Sequence, residues 1–307
     1  MKKWILKAIV QKTISFLPYK HRINYLFQKY VTRGVELSDA YFEDRLQHFQ
    51  NHRQFQLKYK GNVEGIKVLE LGTGWYPVIP IGFFLSGAER IYTVDISELT
   101  DKAKIVETIG RFLEQEKSGG LKELGNLQEA RLSELKAIIN LQEELSLSEI
   151  LDKLHIEYLV ADARNLPLAS DMIDLVTSNN TFEHVYPKIL SEILLEFKRV
   201  VKPDGLMSHF IDMSDHFAHL DQQITIYNFL RFSEEQWQWI DNTIQPQNRW
   251  RITHYRDLYK NLDIPLTEEL NREGSQQEVL SIPLAPPFSE LSTKDVAISH
   301  SYVVSVF

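Results

Sequence analysis

The stretch Ile66–Asp95 constrains the fold of this 307-residue chain more than any other part of its sequence. It opens with the apolar run Ile66–Leu71, which is typical of a buried strand in a parallel sheet. Gly72 and Gly74 follow, and glycine permits a sharp turn and lets a ligand come close to the backbone. A helical pattern over residues 78–86 and a second short strand complete the stretch, so the sequence predicts a strand–loop–helix–strand unit.

An acid at the end of the second strand gives this unit a possible ligand. Asp95 lies about twenty residues past the glycines, where a carboxylate accepts hydrogen bonds from the two hydroxyls of a ribose. The third glycine of a dinucleotide-binding fingerprint is absent, and Tyr76-Pro77 stands in its place. The segment alone therefore fits a nucleotide-binding loop and equally a tight turn in an ordinary α/β fold.

The composition excludes several classes of protein. A net charge of −8 and an isoelectric point near 5.7 argue against a dedicated nucleic-acid binder. The chain has no cysteine, which excludes disulfides, thiolate nucleophiles and cysteine metal ligands. No apolar run approaches the roughly 20 residues of a membrane-spanning helix, and Lys7 breaks the apolar N-terminal segment too early for a secretory signal. We therefore expect a cytoplasmic protein.

Patterning predicts a helical N-terminal cap over residues 1–60 and a main domain over 61–307. Within the cap, helical periodicity marks residues 4–17, His21–Tyr30 and Asp39–Tyr59, and Ser38 is a candidate N-cap for the last of these helices. Basic residues dominate its first part, which fits either contact with a membrane or anionic substrate, or a docked cap with its basic face in water; we favour the second. Residues 98–154 are charged, helix-prone and longer than one crossover connection needs, so they predict a helical insertion. This insertion could be a substrate lid, a dimerisation arm or a surface addition without a specific role.

Further strands alternate with helices along the rest of the chain. We predict strands at Ile156–Val160, at 172–180, from Leu206 to near Met213, near 264–270 and at 301–307. Such alternation predicts an α/β protein with a doubly wound sheet.

With these elements placed, the chain resembles the class I S-adenosylmethionine-dependent methyltransferases. Four blocks carry the resemblance: VLELGTG at 68–74 with the acid after the second strand, ADARNLP at 161–167, IDLVTSNNTFEHV at 173–185 and FKRVVKPDGL at 197–206. A nicotinamide-dependent dehydrogenase would share only the first block. The resemblance covers roughly 65–307 apart from the insertion, and the flanking sequences look like a bacterial subgroup that modifies saccharides or secondary metabolites.

The resemblance implies a seven-stranded, mostly parallel sheet whose last strand is antiparallel, with S-adenosylmethionine as methyl donor and S-adenosylhomocysteine as product. By the same resemblance Asp162 meets the adenine amino group, although an acid here also suits a turn. The cofactor-binding residues that the resemblance and the chemistry indicate are Glu70, Gly72, Thr73, Gly74, Asp95, Ile96, Asp162, Ala163, Asn179 and Asn180. For the two asparagines a helix N-cap is the alternative role.

Methyl transfer is an in-line displacement at carbon that depends largely on proximity and alignment. A base is needed only where the acceptor must lose a proton, as a hydroxyl must. His216 and His219, which follow the fifth strand, are the first and second candidates for this base, and His184 is the third. The loop with Asp215 and Asp221 also fits substrate contact, a divalent metal or a satisfied polar loop; we expect no metal.

The sequence thus predicts a methyltransferase that acts on an oxygen, either a hydroxyl or a carboxylate, of a small molecule, saccharide or short-peptide natural product, possibly as a homodimer. The alternatives are a cofactor-binding subunit without activity, a methyltransferase acting on nitrogen or carbon of a metabolite, and, disfavoured by the acidic charge, one acting on nucleic acid.

Overall fold

A computed structural model describes residues 3–18, 36–125 and 127–307 of the chain. Its described strands form a seven-stranded sheet in the order β3-β2-β1-β4-β5-β7-β6. The strands are β1 Lys67–Leu71, β2 Arg90–Asp95, β3 Ile156–Val160, β4 Ile173–Asn179, β5 Val201–Asp212, β6 Glu268–Glu273 and β7 Ile298–Val306.

The central strands pair in parallel, and their apolar side chains are buried. Val68 of β1 is aligned with Ile91 of β2 on one side and with Leu175 of β4 on the other. The last strand runs in the opposite direction, because the amide of Met213 donates to Ser299 whereas the amide of Phe307 donates to Gly205. The predicted fold class, an α/β fold with a mixed sheet and an antiparallel last strand, is confirmed.

Three strands begin at least three residues away from the predicted start. The last strand begins at Ile298 instead of at residue 301. The fifth strand begins at Val201 and includes the Lys-Pro-Asp-Gly segment that the sequence marks as a turn. The side chain of Lys202 forms a 2.6 Å ion pair with Asp174 on neighbouring β4, which ties this first part to the sheet. The sixth strand lies at Glu268–Glu273, later than predicted, since the preceding helix ends at Asn261 and Asp263 adopts a left-handed backbone with φ 49°.

Helices fill the connections between the strands. They are α1 Lys3–Ser15, α2 Asp39–Lys60, α3 Val78–Leu85, α4 Lys102–Ser118, α5 Glu129–Asn140, α6 Leu147–Lys153, α7 Pro187–Val200, α8 Glu234–Ile240, α9 Ile252–Asn261, α10 Gln276–Leu280 and α11 Thr293–Ala297. Ser38 caps α2 as predicted, because its side chain accepts a hydrogen bond from the amide of Tyr41 at 3.2 Å. The predicted helix His21–Tyr30 lies outside the described residues.

The insertion over residues 98–154 consists mainly of α4, α5 and α6. Ile105, Ile109 and Phe112 on one face of α4 are fully buried. Phe112 packs edge-on against Phe42 of α2 with ring centroids 5.1 Å apart. These contacts make the insertion part of a hydrophobic core.

The chain divides into two compact units. One contains residues 37–179, 192–209 and 304–307, and the other contains the described residues before 37 together with 180–191 and 210–303. Tyr227, Phe229 and Trp237 lie in the core of the second unit, whereas Trp239 is 82% exposed. The boundary between a 1–60 cap and a 61–307 domain stays a prediction. Within the described ranges, no helix is both long and apolar enough to cross a membrane.

Candidate cofactor site and histidine cluster

The glycine loop after β1 has the backbone that its sequence predicts. Gly72 and Gly74 have φ values of 77° and 71°, a left-handed conformation that residues with a Cβ rarely adopt. A Cβ on Gly74 would meet no atom within 4 Å, so the requirement for glycine is conformational and the space beside the loop is open. The amide of Gly74 donates a 3.1 Å hydrogen bond to Oδ2 of Asp95, which joins the loop to the end of β2.

Two acids beside this loop hold protons unusually tightly. Burial raises the pKa of Asp95 to about 7, against the lowering effect of the backbone amides of Gly74 and Thr73. Burial raises the pKa of Glu70 to about 8; the Thr73 hydroxyl and Arg45 lower it, and the charge of Asp95 raises it further. Glu70 is 3% exposed, and its Oε2 has no hydrogen-bond partner among the described residues. A cationic ligand would stabilise the ionised form of both acids.

A buried histidine orients the amide at the end of β4. His52 on α2 contacts Oδ1 of Asn179 through Nε2 at 3.0 Å and the hydroxyl of Ser208 through Nδ1 at 2.7 Å. Because an amide oxygen can only accept, Nε2 carries the proton and Nδ1 accepts from the hydroxyl. Burial lowers the pKa of His52 to about 3, so the ring is neutral at pH 7. The sequence gives no signal for this contact, since His52 lies in a helix far from Asn179 in the chain.

The carboxylate of Asp162 interacts with its own loop. It accepts hydrogen bonds from the backbone amide of Arg164 at 3.0 Å and from the guanidinium at 2.6 Å. These bonds from Arg164 hold the pKa of Asp162 below its usual range. The geometry is that of a turn-forming acid, and the adenine contact stays a prediction. Of its predicted neighbours at the site, Ala163 is buried and Ile96 is 78% exposed.

The predicted catalytic histidines lie in the second unit, around an acid that the sequence analysis missed. Asp212, the last residue of β5, is 3.3 Å from Nε2 of His216 through one oxygen and 3.2 Å from Nε2 of His300 through the other. Burial raises the pKa of Asp212, but the hydrogen bond and charge of His216 and the charge of His300 outweigh burial and lower it. Asp212 is therefore ionised and fixes the His216 ring.

The other two histidines flank His216. The ring of His184 lies 4.9 Å from that of His216, and its Nδ1 is 2.7 Å from the carbonyl oxygen of Pro246. Burial and the charge of His216 lower the pKa of His184 to about 4. The His219 ring lies 5.6 Å from His216, its Nε2 is 3.4 Å from the Ser214 hydroxyl, and burial followed by the charge of His216 lowers its pKa.

Asp215 and Asp221 are engaged elsewhere. Asp215 accepts from the amide of Phe217 at 2.8 Å and from Asn228 at 3.2 Å. Asp221 accepts from the amide of Trp4 at 3.2 Å. The group that brings three potential metal-ligand atoms within 4.8 Å of one another is instead Glu183, His184 and His216. The adjacent Glu-His pair in the third block, IDLVTSNNTFEHV at 173–185, was the sequence signal for it.

The fold and these sites can now be set beside known proteins. Residues 134–208 match the family profile described as a methyltransferase domain, a range that starts in α5 and runs through β3 and β4 into β5. The glycine loop precedes the matched range. No curated protein matches the chain.

Solved structures share the fold at low sequence identity. The PH0226 protein from Pyrococcus horikoshii OT3 is 15% identical, with a TM-score of 0.50 over 91% of this chain and 97% of its own. An S-adenosylmethionine-dependent methyltransferase from Mesorhizobium loti is 11% identical, with a TM-score of 0.42 over 80% and 93% of the two chains. Geranyl diphosphate C-methyltransferase from Streptomyces coelicolor is 13% identical, with a TM-score of 0.45 over 86% and 80%.

Residues 134–208 are thus similar to a methyltransferase domain, and the mixed seven-stranded sheet has the order found in Rossmann-like methyltransferases. The methyl donor that these findings indicate is S-adenosylmethionine, with S-adenosylhomocysteine as the product.

Proposed function

We propose that this methyltransferase acts on a hydroxyl oxygen of a small molecule, saccharide or short-peptide natural product, and that His219 removes the hydroxyl proton. The observation that carries the proposal is the half-buried cluster of His184, His216 and His219 around ionised Asp212. A hydroxyl needs a base as the methyl arrives, and a neutral imidazole is suited to that task at pH 7.

The geometry favours His219 over His216 as the base, in the reverse of the order the sequence suggested. Nε2 of His216 faces Asp212, and a nitrogen of the same ring is grouped with Glu183 and His184. Among the described residues, the hydrogen-bonding contact of His219 is a long one of 3.4 Å to Ser214, and the lowered pKa of His219 keeps it neutral and able to accept a proton. His216 would then act as a positioning residue.

The bond changes are those of a direct displacement. The acceptor oxygen forms a bond to the methyl carbon as the carbon–sulfur bond breaks, its electron pair goes to sulfur, and the proton passes to His219. We propose that the cofactor is held by the glycine loop, with Asp95 accepting from the ribose and Glu70 placed for the cationic groups. Binding of a cation there is supported by the raised pKa of both acids.

A carboxylate acceptor is the second candidate. A small pocket in the same unit is lined by the lysine Lys7 and by His216, with the amides of Gln11 and Asn242 beside them. An ammonium group and amide donors suit a carboxylate, which is already ionised at pH 7 and needs no base. A hydroxyl acceptor therefore requires His219 as a base, whereas a carboxylate acceptor does not.

The test is a screen of hydroxyl and carboxylate acceptors with methyl-labelled S-adenosylmethionine, followed by kinetics of variants. With a hydroxyl acceptor, His219→Asn should lower kcat by about a hundredfold with unchanged affinity for S-adenosylhomocysteine, because a positioned base contributes about 10²–10⁴ in rate. The native rate should rise with pH and become level at or below about 6.5, since the pKa of His219 is lowered from the ordinary value for histidine.

His155→Asn is the matched control, because it removes an imidazole from the other unit at a left-handed position, φ 55°, that asparagine tolerates. If His219→Asn keeps native turnover while Lys7→Met abolishes it, the carboxylate acceptor is correct and the hydroxyl proposal is wrong.

We also propose a cytoplasmic location, which is supported by the cysteine-free composition. Light scattering would distinguish a monomer from a homodimer.

A further inference from the structure

Glu183, His184 and His216 form a cluster of potential metal ligands within the second unit. Each offers one ligand atom, and the three atoms lie within 4.8 Å of one another. Glu183 and His184 come from the short helical turn after β4, and His216 comes from the loop after β5. We infer that these three side chains bind a divalent transition-metal ion such as zinc.

The hydrogen bonds of the two rings leave one nitrogen of each available to a metal. Nδ1 of His184 is 2.7 Å from the carbonyl oxygen of Pro246, which can only accept, so the proton lies on Nδ1 and the lone pair on Nε2. Nε2 of His216 lies 3.3 Å from the carboxylate of Asp212, which leaves Nδ1 as the ring nitrogen available to a metal. Metal-binding histidines are typically fixed in this way by a carbonyl or carboxylate behind the ring.

The carboxylate supplies the charge that such a site needs. Glu183 is only 4% exposed, and a bound cation offsets the cost of burying a carboxylate. His300 holds the second oxygen of Asp212 at 3.2 Å, which fixes the carboxylate that orients His216. The site therefore has one buried carboxyl ligand, two imidazoles and an outer layer of partners.

The donor set selects the class of metal. Two imidazole nitrogens and one carboxylate favour Zn²⁺, Fe²⁺, Co²⁺ or Mn²⁺ over Mg²⁺ or Ca²⁺, which prefer oxygen. Bonds of about 2.0–2.2 Å to a tetrahedral metal place ligand atoms about 3.4 Å apart, so the side chains must close slightly around the ion. Three protein ligands leave a position for water or for an acceptor hydroxyl.

Metal binding does not depend on the proposed methyl transfer, but a bound ion would assist that reaction. A bound divalent ion lowers the pKa of a coordinated hydroxyl, and His219, which is outside the ligand set, remains free to take the proton. Binding is measured without turnover, so failure of either proposal is recognised separately.

The test uses the full chain after treatment with a chelator, titrated with Co²⁺ and with Zn²⁺. We expect one ion per chain and the visible absorption of Co²⁺ in a nitrogen-containing site. Glu183→Gln and His184→Gln should each weaken Zn²⁺ binding by at least about a hundredfold, and Asp212→Asn by about 10–100-fold through loss of its hold on His216. His155→Asn, in the other unit, should bind as the native chain does.

Far-ultraviolet circular dichroism and binding of S-adenosylhomocysteine show whether each variant is folded. For the native chain, nitrogen-detected spectra of the imidazoles should show two histidine rings with metal-bound nitrogen shifts on addition of diamagnetic Zn²⁺, whatever the variants do. Absence of stoichiometric binding, a different number of perturbed rings, or a folded His184→Gln variant that binds Zn²⁺ as tightly as the native chain would overturn the inference. Binding of Mg²⁺ in preference to Zn²⁺ would overturn the assigned metal class.

Discussion

At the residue scale, the acids beside the glycine loop determine how the cofactor site responds to pH. Burial raises the pKa of Asp95 to about 7 and that of Glu70 to about 8. Both carboxyl groups therefore change protonation close to neutral pH. S-adenosylmethionine carries a sulfonium and an ammonium group, and S-adenosylhomocysteine keeps the ammonium group and the ribose hydroxyls, so the ionised acids should be the form that binds both.

The affinity for S-adenosylhomocysteine should consequently increase between pH 6 and pH 8. If only ionised Asp95 binds the ribose, a pKa of about 7 makes the gain about tenfold over these two units. Isothermal titration calorimetry at each pH measures it. Asp95→Asn, which has no such proton to lose, should bind about 1–3 kcal/mol more weakly and lose this part of the pH dependence. A variant that tightens with pH as steeply as the native chain would show that another group is responsible.

At the element scale, the insertion over residues 98–154 is expected to be essential for the fold of its unit. Ile105, Ile109 and Phe112 of α4 are fully buried, and Phe112 contacts Phe42 of α2. A lid that only covers an acceptor would not need such a face. The many charged residues of the insertion gave no sign of this burial. The spacing of its apolar residues, which places them on one face of α4, makes the insertion part of the core.

Phe112→Ala should lower the free energy of unfolding by about 3–5 kcal/mol, because it removes a buried ring and leaves a cavity. Leu141→Ala is the control, since Leu141 is 41% exposed at the end of α5 and its loss should cost less than about 1 kcal/mol. Urea unfolding with constant m measures both. Equal small effects would mean that α4 does not contribute to the core.

Sequence reasoning succeeded for elements whose signals are local. The glycine loop, the acid that ends β2 and the N-cap at Ser38 each follow from neighbouring residues, and the structure has all three. Sequence reasoning did not find the partners of the site residues, because these contacts join residues that are distant in the sequence. Asp212 contacts histidines in a loop and on another strand, and His52 on a helix contacts Asn179 at the end of a strand. The fold of such a chain is thus easier to predict than the packing behind its functional side chains.

At the scale of the whole molecule, the buried titratable groups set the pH dependence of stability. Burial disfavours the charged forms of His52 and His209 and lowers their pKa values to about 3. Below pH 6.5 the unfolded chain therefore binds protons at these histidines that the folded chain does not bind, so their contribution to stability increases as pH rises. Above pH 6.5 the unfolded chain has already lost the protons of Asp95 and Glu70, which the folded chain still holds. The stabilisation from these two acids is therefore lost as pH rises through about 7 and 8.

Between pH 6.5 and pH 8, the cofactor-free protein should lose on the order of 2 kcal/mol of unfolding free energy from these two groups together. Urea unfolding at several pH values measures the change, and the slope should be smaller in Asp95→Asn. Stability that stays constant or rises over this range would show that the two carboxyl groups are not buried in their protonated form.

Asp212 also links the histidine cluster to the pairing of β7 in the sheet. Its carboxylate joins His216, in the loop after β5, to His300 on β7. A shift of β7 by one residue would turn His300 to the opposite face of the sheet and leave Asp212 with His216 as its one imidazole partner. The arrangement around Asp212 therefore forms only when β7 pairs with β5 in the correct register, so a register error in the sheet would also disrupt the histidine cluster.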